Sequence, residues 1–79
     1  MPRQATGGLI SLGRAIRHRR HELELSQEQL AQEAGLDRSY VGGVERGERN
    51  VAYLNIRRIA LALKLHASEL VARAERKQS

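Results

Sequence analysis

Two arginines, a serine and two adjacent glycines lie close together in the stretch "AGLDRSYVGGVERGERN": Arg38, Ser39, Gly42, Gly43 and Arg46. A guanidinium is a planar fork of donors that suits phosphate oxygens or the O6/N7 edge of guanine. Each glycine in a helix interior costs about 1 kcal/mol relative to alanine, so two in succession need a reason. On a wheel of about 100° per residue, all five of these residues fall within about 140° of arc. Tyr40, Val41 and Val44 take the opposite side, with Glu45 at its margin. The chemistry expected of such a face is recognition of a polyanion. A helix lying in the major groove of DNA must bring its backbone near base edges, and glycines permit that approach. Arg38 and Ser39, at the N-terminal end, would reach the bases.

Other chemistries are poorly supplied. His18 and His21 stand three apart beside Glu22, superficially like a metal pair, but no third ligand lies nearby and the surrounding arginines repel a cation. Cysteine is absent, so thiolate clusters and disulfides are unavailable. No paired carboxylates, nucleophile–base set or phosphate-cradling glycine loop emerges. The expectation is a protein that is not an enzyme and takes no cofactor or metal.

Charge agrees with the polyanion reading. Fourteen Lys and Arg stand against nine Asp and Glu in 79 residues, giving +5 and a pI near 10.7, and all but Lys64 and Lys77 of the basic residues are arginine. So short a chain makes one domain that leans on a partner subunit. No apolar run approaches the ~20 residues that span a bilayer. Without Trp or Phe, the basic first helix is a poor membrane anchor. A soluble, cytoplasmic, nucleoid-associated protein is expected.

The elements that must hold this face read as helices throughout. Residues 1–8 are polar and glycine-containing, and are expected to form a flexible arm. Leu9, Leu12, Ile16, Arg20 and Leu23 mark the inner stripe of a first helix, with Arg14, Arg17, His18, Arg19 and His21 on its other faces. Ser26 and Gln29 fit a capping box at the start of a second, whose inner face is Leu30, Ala31 and Ala34. Gly35 supplies the positive φ that ends it, Leu36 connects, and Asp37 is placed to cap the third. Gly47 closes that helix. Ala52, Ile56, Ile59, Ala60 and Leu63 stripe a fourth; a fifth runs from 68 to about 76 with Leu70 and Val71. The expected fold is all-α, a compact five-helix bundle over 9–76 with a helix-turn-helix at about 27–46. Leu54 and Leu61, one heptad apart on the outer face of the fourth helix, call for a cover that with Val71 would be a two-fold dimer interface.

"LSQEQLAQEAGLDRSYVGGVERGERN" resembles the helix-turn-helix domain of the Cro and phage-repressor type, the XRE family, through Ser26-Gln27, Ala31, Gly35, Val41, Val44-Glu45-Arg46-Gly47 and the downstream "IALAL". Within it, "LDRSYVGGVERGERN" is most similar to the controller proteins of restriction-modification systems. The resemblance implies a lambda-repressor-like domain that regulates transcription as a homodimer on a palindromic operator, with reading helices about 34 Å apart. It implies phosphate contact by Gln27 and base reading by Arg38 and Ser39. Gly43 departs from relatives that carry a base-reading side chain there, which shifts readout toward DNA shape. Tyr40 is placed equally for core packing or a DNA contact. Arg46, Arg49 and Asn50 match phosphate-clamping positions, and Arg20 with Glu45 a buried structural ion pair. An activator would also contact RNA polymerase. The alternative is an antitoxin that binds its own operator and a toxin.

Overall fold

The computed structural model describes the backbone of residues 2–76 and the side chains of residues 7–76. Five helices follow one another: α1 (Pro2–Glu22), α2 (Gln27–Ala34), α3 (Arg38–Glu45), α4 (Tyr53–Ala62) and α5 (Ala67–Arg76), with no strand among the described residues. Their buried faces meet on Ile16, Leu30, Val41, Val44, Ile59, Leu63 and Leu70, all withdrawn from water. Burying each such side chain contributes about 1.5–3 kcal/mol.

Local chemistry sets most boundaries. Ser26 accepts from the Gln29 amide while the Gln29 side chain accepts from the Ser26 amide, a complete capping box. Gly35 ends α2 at φ 71°, and Asp37 accepts from the Ser39 amide to start α3. Gly47, at φ 76°, turns the chain out of α3.

Two expectations need correction. The first helix does not begin at Leu9: residues 2–8, assigned to an arm, continue it, with Pro2 suited to a first helical turn; Met1 lies outside the described residues. A Cβ added at Gly7 or Gly8 would meet no other residue within 4 Å. Ala52 is exposed, not part of the fourth helix's inner stripe, because it precedes α4 as the cap position. Non-glycine residues also turn the chain with positive φ, Glu24 (59°) after α1 and Lys64 (62°) after α4.

Two close approaches fix α3 against α1. A Cβ on Gly13 would fall 2.5 Å from the Val44 carbonyl oxygen and 2.7 Å from the Glu45 carbonyl carbon. A Cβ on Gly47 would fall 2.7 Å from Cγ1 of Ile10. Only a bare Cα lets the two backbones come this near.

Candidate nucleic-acid interface

The candidate face is built on α3 and the loop behind it. Val41 and Val44 are buried and hold the helix to the core. At its far end Glu45 turns inward, where Arg20 from α1 grips it twice, Nε to Oε2 at 2.7 Å and Nη2 to Oε1 at 3.0 Å. Arg20 Nη1 also donates to the Leu25 carbonyl at 2.8 Å. From α2, Gln27 Nε2 donates to Glu45 Oε1 at 3.0 Å. This buried carboxylate thus ties α1 and α2 to α3, with its oxygens satisfied.

On the outward side, Arg38 is exposed and has no hydrogen bond or ion pair among the described residues. Ser39, beside it, donates its hydroxyl to Asp37 Oδ2 in a short bond. That hydroxyl bond, then the Ser39 amide, hold the Asp37 carboxyl below the usual carboxylate range against a small opposing effect of desolvation. With its proton so engaged, the Ser39 hydroxyl keeps its lone pairs free to accept. Tyr40 is half-buried; its hydroxyl oxygen accepts from Asn55 Nδ2 of α4 at 3.2 Å.

Gly42 and Gly43 are not a bare strip. Both are buried, and the side chains that cover them are polar or basic. A Cβ on Gly42 would meet Arg46 Nη1 at 3.2 Å and Gln27 Oε1 at 3.5 Å. On Gly43 it would meet Arg49 Cγ at 2.9 Å and Nε at 3.4 Å. The Arg49 guanidinium carbon lies 6.0 Å from the centre of the Tyr40 ring, within cation–π reach. Arg46 pairs with Glu48 at 3.1 Å in full solvent, and Asn50 is exposed. Gln27, Arg38, Ser39, Arg46 and Arg49 therefore gather around the outward side of α3, over the glycines or at its start.

Elsewhere, Leu54 and Leu61 stand 63% and 65% exposed on α4, with Tyr53 beside them, while Val71 is half-buried on α5. His18 sits 3.7 Å from Glu22 and His21 is exposed; no group of three or more metal-ligating side chains comes together among the described residues. No described helix is long and apolar enough to cross a membrane.

Sequence reasoning did not single out Gly13, Asn55 or the cluster in which Glu22 accepts from Arg19 and Arg73 at 3.1 Å each. Gly13, within an otherwise regular apolar stripe, carried a usable signal, since a glycine there costs helix stability unless a neighbour requires it. Asn55 and Arg73 carried none, because their partners are distant in sequence.

The turn Gly35–Asp37 between two short helices, with a buried carboxylate bracing the second, defines a helix-turn-helix domain of the XRE type. The chain belongs to that helix-turn-helix family, whose pattern it matches over residues 16–70. It is similar to restriction-modification controller proteins. Control protein C.SmaI of Serratia marcescens is 44% identical over 62 residues, covering 78% of this chain and 74% of the relative. The crystal structure of the controller C.AhdI from Aeromonas hydrophila superimposes with a TM-score of 0.77 at 53% identity, covering 78% of this chain and 94% of that one. The controller C.Esp1396I, solved as a tetramer on its natural 35-base-pair operator, matches with a TM-score of 0.81 at 27% identity over 89% of this chain and 92% of that one.

Proposed function

We propose that this chain is a sequence-specific, double-stranded-DNA-binding regulator of transcription of the controller type, acting as a homodimer on a palindromic operator. One observation carries the reading: the start of α3 presents Arg38 to solvent with its charge unpartnered, on a helix braced from two sides. Unsatisfied positive charge at a helix N-terminus opposes the helix dipole, so an external anion relieves it. Arg38 then reads guanine, Ser39 accepts from a base edge, and Gln27, Arg46, Arg49 and Asn50 clamp phosphate. The C.Esp1396I tetramer, solved on its natural operator, supports DNA binding by this chain. Leu54, Leu61 and Val71 meet their counterparts across a two-fold axis. In the cell the protein resides on the nucleoid, and if it activates transcription it touches RNA polymerase. The function is regulatory rather than enzymatic.

The test is selection of duplexes from a randomised library by the purified chain. The expected result is a palindrome with half-sites 10–10.5 base pairs apart. Two phosphate-neutralising arginines per subunit, Arg46 and Arg49, predict a log–log salt slope of about −4 for the dimer. Recovery of no consensus, together with a flat salt response, would overturn the reading.

A further inference from the structure

We infer that Gly43 is a positioning residue for Arg49: its missing side chain is the seat on which the arginine lies. The inference rests on the reading that this face binds DNA. Gly43 is buried, and Arg49 covers it, with the stem atom Cγ 2.9 Å from where a Cβ would stand. That atom is mid-chain, so a methyl group cannot be relieved by moving the tip alone; the whole arginine must turn away. Past the seat, the guanidinium reaches over the Tyr40 ring, 6.0 Å from its centre, and Tyr40 is fixed in turn by Asn55 from α4. Gly43 and Tyr40 from α3 and Asn55 from α4 therefore converge to aim one cation supplied by the loop.

An arginine held in place this way loses less side-chain freedom when it meets a phosphate. The arrangement also reverses the role expected for the glycine. A groove floor cannot touch the Gly43 backbone while Arg49 lies across it. The glycine acts through the arginine rather than by direct approach to the bases.

A double-mutant cycle separates the two roles, using a duplex selected by the wild-type chain from a randomised library. Gly43→Ala should weaken binding by about fivefold or more in the parent, and flatten the log–log salt slope by about 0.9 for each phosphate no longer neutralised. In the Arg49→Ala background the same change should cost almost nothing. Equal losses in both backgrounds would assign Gly43 its own contact with DNA and overturn the inference; so would no loss in either. Should Gly43→Ala not fold, the wild-type protein decides: an NOE between Gly43 Hα and Arg49 Hγ is expected, and its absence overturns the seat. A wild-type chain that retains no duplex, with that NOE present, would sink the DNA reading instead.

Discussion

Arg20 and Glu45 meet end to end through two hydrogen bonds, with side chains only 9% and 2% exposed, joining the first helix to the third. Removing one partner strands the other charge away from water. Glu45→Ala should therefore cost about 3–5 kcal/mol in urea denaturation. Replacing both residues by apolar ones of similar volume should recover most of that loss. An equal cost for single and double variants would show that the pair's charge is not what the fold depends on.

Gly13 and Gly8 lie on the same helix and should respond with opposite signs. Alanine at Gly8, in open space, should stabilise by up to about 1 kcal/mol. Alanine at Gly13 drives a methyl group into the α3 backbone and should destabilise by about 1–3 kcal/mol or more. Paired thermal melts of the two variants check this.

Arg38 and Arg49 should separate specificity from affinity. Arg38→Ala should relax preference at the base pair it reads, losing about 1–3 kcal/mol of discrimination there. Arg49→Ala should weaken all duplexes alike. Fluorescence anisotropy on matched and mismatched sites distinguishes them, and the reverse pattern would exchange the two roles.

Leu61 is the test of self-association. A carboxylate at this exposed apolar position should be tolerated by the isolated fold but not inside an apolar interface. Leu61→Glu should sediment as a monomer with its helical signal intact. An unchanged dimer would move the interface off this face.

Glu22 gives a pH dependence. Hydrogen bonds from Arg19 and then Arg73 hold its carboxyl below the ordinary 4.5, outweighing desolvation, with the Arg73 and His18 charges adding to the effect. A depressed folded value means the contribution is present above 4.5 and lost as pH falls through the folded value. The gap in unfolding free energy between wild type and Glu22→Gln should therefore be constant near neutrality and close below about pH 4.5. A gap that widens on acidification would contradict the sign.

The helix boundaries were legible where a cap is local. Ser26 with Gln29, Gly35, Asp37 and Gly47 each satisfy a backbone group within a few residues, so their types announce their places. The core stripe was legible for the same reason, since Ile16, Ile59 and Leu63 repeat at the helical period. What spacing cannot carry is tertiary choice. A wheel puts Gly43 on the outer face but does not say that Arg49, beyond the end of the helix, folds back over it. Nor does it choose for Tyr40 between core and solvent; the structure gives its ring to the first and its hydroxyl to Asn55. The turns at Glu24 and Lys64 use residues without the usual preference for positive φ, so no residue type marked them.

The bare Cα of Gly13 has a mechanical consequence. With two helix backbones nearly touching there, movement of α3 toward α1 meets backbone atoms at once. Protein cores resist such strain far more stiffly than a stack of base pairs does. On the DNA reading, any misfit between this helix and a groove is absorbed by curvature of the duplex, at about 1–6 kcal/mol for a bent site. The chain would then grade sequences partly by their pliability, including at steps no side chain reaches.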